Sequence, residues 1–146
     1  MSSLLLRIAS RLILVLELGF ALVFLFRGHN QPGGGFIGAL IAASALSVYG
    51  LAFRAEPVRR LLFFHPVTYM GAGILLSAGS GFLAVFSWEP YMTARWWGGW
   101  IGTPLLFDFG VFLTVLGMTM SVILTLIERR DGFSSLASLF RQERRD

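Results

Sequence analysis

The sequence predicts an all-α integral membrane protein of four transmembrane helices, with N and C termini cytoplasmic. Three observations predict it. Of 146 residues, 55% are hydrophobic and only 14% charged, against about 25% charge in soluble globular domains. The apolar residues come in blocks, and a block of about 18 residues or more is long enough to cross the hydrocarbon layer as a helix. Ten of the twelve basic residues, all arginine, fall in segments that four spans place on one side. With a mean hydropathy of +0.73, a soluble core would lack the polar surface needed to cover it.

The chain reads as a single membrane domain, 1–146, with no internal repeat. Its first helix covers about 8–27, behind Arg7 and Arg11. A basic start before an apolar run also suits a secretory signal. Glu17 interrupts the run, however, and no small-residue cleavage site follows, so a retained span is expected. The second helix covers about 34–53, and the third covers 66–87 and opens on Pro66. Proline in a first turn loses no hydrogen bond, because that N–H would be unpaired anyway. The fourth, 105–128, follows Pro104. Beyond it, Phe133, Leu136, Leu139 and Phe140 recur near helical spacing beside arginines, which predicts an amphipathic cytoplasmic tail over 131–146 on the inner leaflet.

Orientation follows from charge. Arg7, Arg11, Arg54, Arg59, Arg60, Arg129, Arg130, Arg141, Arg144 and Arg145 share one side, leaving Arg27 and Arg95 on the other. The positive-inside rule makes the crowded side cytoplasmic. A net charge of +4 then reflects contact with anionic headgroups rather than nucleic acid. The third loop, SWEPYMTARWWGGWIGTP, holds Trp88, Trp96, Trp97, Trp100 and Tyr91. Such rings favour the headgroup layer; an aromatic binding box is the alternative.

Small residues recur every four positions: Gly34, Gly38 and Ala42, then Gly73, Ser77 and Gly81, then Gly117, Ser121 and Thr125. Stripes of this kind let helix backbones approach closely in lipid. They serve either the helices of this chain or those of other subunits. A short bundle with so little polar lining is expected to need a partner.

The least generic stretch is RGHNQPGGGFIGAL, Arg27 to Leu40. Within it Gly33, Gly35 and Gly38 spell GxGxxG, but the dinucleotide fingerprint needs a preceding strand and a soluble βαβ unit. Here both flanks are membrane helices. The glycines allow either a tight, closely packed turn or an anion site of free N–H groups before a helix. Arg27 is placed to cap the last carbonyls of the first helix, and His29 is either a loop hydrogen-bonder or a titrating group.

Two carboxylates stand out. Glu17 lies near mid-membrane, where a carboxylate is expensive and marks an ion or proton path by default; a structural hydrogen bond to another subunit is the alternative. Asp108, in FDFGV, falls in the first turns of the fourth helix. There it either complements the helix dipole or attracts cations. The chain has no cysteine, and it shows neither a Ser/His/Asp set nor HExxH. It therefore reads as a non-enzyme without cofactor or resident metal.

RGHNQPGGGFIGAL, together with FDFGV, resembles the MnhB domain, the B-type subunit of multisubunit Mrp-type sodium/proton antiporters, over essentially the whole chain. The resemblance implies a non-pumping accessory subunit in a bacterial inner-membrane complex with the hydrophobic subunits A, C, D, E, F and G. Such a complex exchanges cytoplasmic Na⁺ for external protons, Na⁺ being only transiently bound. The residues matching the family pattern are Arg27, Gly28, His29, Asn30, Pro32, Gly33, Gly34, Gly35, Phe36, Gly38, Asp108 and Gly110. Two alternatives are the equivalent subunit of a membrane-bound hydrogenase-type complex and a small self-sufficient four-helix transporter.

Overall fold

The computed structural model describes residues 4–28, 33–86, 88–97 and 101–143, with side chains as far as residue 133 except those of Trp97 and Ile101. His29, Asn30, Pro32 and Trp100 lie outside the described residues, as do the tail side chains from 134 on which its amphipathic reading rests.

The elements in order are α1 (Leu4–Arg27), α2 (Gly35–Phe53), α3 (Ala55–Leu62), α4 (Pro66–Val85), β1 (Trp96–Trp97), β2 (Ile101–Gly102) and α5 (Thr103–Glu143). Among the described residues, four helices are long and apolar enough to cross a membrane. The third of these runs from Ala55 to Val85, but it is interrupted at residues 63–65, so its membrane part is α4. Helix α1 packs on α2, α2 on α5 and α5 on α4, which sets the four in a row. The flanking helices are the exposed ones: 17% of the apolar stretch of α1 is buried, against 44% for α2.

The core lies between α2 and α5. Ala39, Ala42, Ala43 and Leu46 meet Leu116, Met120, Leu124 and Ile127. Alanine on one side and long side chains on the other let α2 and α5 interlock. Between α4 and α5 the backbones come closer still. A methyl on Gly73 would collide with the Gly110 carbonyl and with Thr114, and one on Gly110 would collide with Ser77. Without side chains at these crossings, the two backbones approach closely and gain dispersion contact along α4. Gly110→Ala is therefore expected to destabilise the purified chain by about 1–3 kcal/mol through overpacking. Gly79, on the outer face of α4 with no atom within 4 Å, serves as the control. Gly79→Ala should raise helix stability by up to about 1 kcal/mol, and thermal unfolding in detergent separates the two.

The third stripe divides. Gly117 packs against Pro66 and Met70 at the start of α4, so Ser121 and Thr125 fall beyond the end of that helix. Thr125 is exposed, and its hydroxyl donates back to the Ser121 carbonyl at 2.8 Å. Helix α5 also runs on past residue 128, where hydropathy ends the last span, through Arg129, Arg130, Asp131 and Gly132 to Glu143. A single exposed glycine costs a helix only about 1 kcal/mol relative to alanine, too little to stop it.

Local chemistry sets the ends. Pro66 occupies the first turn of α4, and His65 caps it by accepting from the Val67 N–H at 3.4 Å. Helix α3 buries Ala55, Val58 and Leu62 and is tied to α5 by Arg59 Nη2 on Glu128 Oε1 at 2.7 Å. In the loop between α4 and α5, β1 and β2 pair antiparallel, Trp96 with Gly102 and Trp97 with Ile101. Tyr91 folds this loop onto α4, with its ring 5.2 Å from that of Phe82 and its hydroxyl donating to the Ala78 carbonyl. Trp88 is 99% exposed and Trp96 half exposed, so these two rings face outward rather than lining a box.

Candidate functional site

The glycine junction closes one end of the bundle. Gly34 has φ +94°, a left-handed conformation that glycine adopts without steric cost. In that conformation its N–H donates to the Phe24 carbonyl at 3.0 Å, turning the chain back against the last turn of α1. Gly28 and Gly34 touch, since a methyl on Gly28 would strike the Gly34 backbone. Gly35 lies against the Asp108 carbonyl and the Phe112 N–H, and Gly38 lies against the Ala21 carbonyl and Phe112. The glycines thus let α1, α2 and α5 converge backbone to backbone.

Asp108 completes the junction. It sits in the second turn of α5, and its carboxylate abuts the hairpin. A methyl on Gly28 would lie 2.9 Å from Oδ2, and one on Gly34 would lie 3.2 Å from the same oxygen. Beside it is a cavity of about 320 Å³ lined by Gly28, Ser80, Met92, Thr103, Phe107 and Asp108. The two hydroxyls there are already engaged. Ser80 donates to the Ser77 carbonyl at 2.7 Å, and Thr103 Oγ1 accepts from the Arg95 N–H at 3.1 Å. A carboxylate with neighbouring hydroxyl oxygens offers the hard oxygen chemistry that suits a proton, water or a small cation.

Glu17 lies elsewhere. With Ser10, Leu14, Ala21 and Leu25 it forms the inward stripe of α1. Gly38 against Ala21 and Arg7 and Arg11 over Phe53 fix the antiparallel register of α1 and α2, which sets Glu17 level with Ala42. Its Oε2 is buried without a hydrogen-bond partner among the described residues. Since Asp108 is at the level of Gly28, the two carboxylates are about three turns, roughly 16 Å, apart along α1.

The profile of the domain related to the MnhB subunit of Na⁺/H⁺ antiporters matches residues 5–121. The chain belongs to the MnhB family. It is 33% identical over 132 residues to the B-type subunit of the Na⁺/H⁺ antiporter of Alkalihalophilus pseudofirmus, a match covering 85% of this chain and 92% of that one. It is 34% identical over 137 residues to the protein of the same name from Bacillus subtilis, covering 87% and 94%. Its fold is similar to part of the Mrp complex from a Dietzia species, with TM-score 0.72 and 32% identity, over 84% of this chain and 14% of that chain.

Of the MnhB-pattern residues, the structure gathers Gly28, Gly33, Gly34, Gly35, Gly38 and Asp108 at one junction, with Gly110 two residues along α5 against Gly73. Phe36 is 55% exposed and turns away from it. Arg27 ends α1, where a cation complements the helix dipole. Phe112 escapes a reading of the sequence. It packs between Gly35 and Gly38 and stacks on Phe109 at 6.4 Å, yet in FDFGVF it resembles any lipid-facing aromatic. Ser77, which donates to the Phe107 carbonyl at 3.3 Å, is visible only as a member of a small-residue stripe.

Proposed function

We propose that this chain is the non-pumping, accessory MnhB-type component of a multisubunit Na⁺/H⁺ antiporter in a bacterial cell membrane. It helps assemble the complex and contributes Glu17, and at the outer end Asp108, to its ion path. One observation carries the accessory role. The two membrane carboxylates are about three turns apart, and Glu17 faces the alanine side of α2. Between them the packed interfaces of α1, α2 and α5 supply apolar side chains and closed backbone. A proton or cation passing Glu17 therefore needs polar groups from a neighbouring subunit. The family match favours this reading over a self-sufficient transporter, and a transporter subunit needs no active site of its own.

The end bearing Arg7, Arg11, Arg54, Arg59 and Arg129 faces the cytoplasm in this reading, and the glycine junction faces outward. A reporter fused after Asp146 should be active only inside the cell; activity outside reverses the orientation. Purification through a tag on this chain should recover the other hydrophobic antiporter subunits in fixed ratio. Recovery with hydrogenase subunits instead would favour the alternative complex. Na⁺-for-proton exchange by the chain alone in liposomes would overturn the accessory role.

A further inference from the structure

At the end opposite the glycine junction, α2 turns into α3 through Arg54, whose φ is 79°. Phe63, which follows the last residue of α3, has φ 57°. Glycine would occupy either position without strain, whereas side chains rarely do. Both side chains are exposed, Phe63 by 88%, and Phe64 beside it is 66% exposed. Across the turn, Arg7 and Arg11 stand over the Phe53 ring, their guanidinium carbons 5.7 and 5.1 Å from its centroid.

Charge at this corner is unbalanced. Glu56 is engaged by Arg60 at 3.1 Å, and Glu128 by Arg59 at 2.7 Å. Neither Arg11 nor Arg54 makes an ion pair among the described residues. Arg11, held over the Phe53 ring, and the exposed Arg54, the residue after Phe53, are therefore the two guanidinium groups without an ion pair at this corner among the described residues. Two exposed phenylalanines project from the far end of the same short helix.

We propose that this corner binds the headgroup of an anionic membrane phospholipid, Arg11 and Arg54 taking the phosphodiester while Phe63 and Phe64 enter the acyl layer. A guanidinium presents paired N–H donors that match a phosphate in bidentate fashion. The cation–π contact with Phe53 holds Arg11 in place before the lipid arrives, so less side-chain freedom is lost on binding. Helix α3 turns Ala55, Val58 and Leu62 to the bundle and leaves Arg60 outside, the layout of a helix lying in the interface. A protein partner would have to bring carboxylates to this depth, whereas the leaflet supplies phosphate there already. The left-handed backbone at Arg54 is retained because glycine, which would relieve it, has no guanidinium.

The test uses the full chain, purified in detergent with its companion subunits, and native mass spectrometry after addition of dioleoyl phosphatidylglycerol or dioleoyl phosphatidylcholine. Arg54→Gly removes the charge while relaxing the backbone, so folding is preserved. Arg11→Gln removes the second charge. Retention of phosphatidylglycerol should fall about fivefold for each guanidinium removed, with phosphatidylcholine unaffected. Equal phosphatidylglycerol retention by the double variant overturns the proposal. So does loss of a companion subunit with phosphatidylglycerol retention unchanged, which would make the corner a protein interface.

Discussion

Gly35→Ala is expected to abolish recovery of folded chain, although it adds a single methyl group. That methyl would meet the Asp108 carbonyl and the Phe112 N–H, both main-chain atoms of α5. A flexible side chain in the way would swing aside, but a helix backbone must move as a unit. Moving it opens the contacts of Gly38 with Phe112 and takes the Asp108 carboxylate off Gly28 and Gly34. Overpacking in a tight core costs about 1–3 kcal/mol, and this site should lie at or beyond the top of that range. At about 1.4 kcal/mol per factor of ten, the ratio of folded to unfolded chain falls roughly a hundredfold. Gly19→Ala is the matched control, since a methyl there has no atom within 4 Å. Size-exclusion profiles and unfolding temperatures of the two variants, purified side by side, measure the difference. Equal recovery would show that α2 and α5 are not locked at Gly35. Gly34→Leu should fail as completely for a second reason: leucine would have to adopt φ +94° against the carboxylate of Asp108.

Much of this junction was legible in the sequence. Three adjacent glycines behind a proline, flanked by apolar blocks, allow either a close-packed turn or an anion site, and the backbone contact of Gly28 with Gly34 is of the first kind. The sequence did not say what the turn packs against. Asp108 reads as an acidic residue near a helix start, with the dipole as its natural partner, and only the crossing of α5 over α2 brings it to the glycines. The same limit applies to the small-residue stripes. A run such as Gly73, Ser77 and Gly81 reports a flat helix face, but flatness does not name the neighbour, here Gly110 and Thr114 for one half and Tyr91 for the other. Helix α3 was hidden for a different reason. In AEPVRRLL the arginines mask a short apolar face, although Ala55, Val58 and Leu62 already carry helical spacing. The backbone at Arg54 and the pairing of β1 with β2 leave no comparable trace.

Glu17 gives the second large effect, and the direction on stability is opposite to that on transport. A carboxylate at mid-membrane depth costs roughly 2.5–3.5 kcal/mol on insertion scales. A buried oxygen without a hydrogen bond forfeits about 1–3 kcal/mol, and Oε2 of Glu17 is such an oxygen. Among the described residues nothing offsets this, because the register puts the side chain level with Ala42. If Glu17 served the fold of this chain, leucine in its place would harm it. The expectation is the reverse. Glu17→Leu should raise the unfolding temperature of the purified chain, by an amount corresponding to about 1–3 kcal/mol. In vesicles containing the complete antiporter, Glu17→Leu and Glu17→Gln should both lower Na⁺-dependent proton flux to near background. The glutamine variant separates charge from shape, for it keeps the size and hydrogen-bonding capacity but cannot exchange a proton. Full flux with glutamine would remove Glu17 from the ion path and leave it a hydrogen-bonding contact to another subunit. A leucine variant less stable than the parent would place an unseen partner for Oε2 inside this chain. The combination of a steadier chain and an inactive complex is what a carboxylate kept for transport, at the expense of stability, should produce.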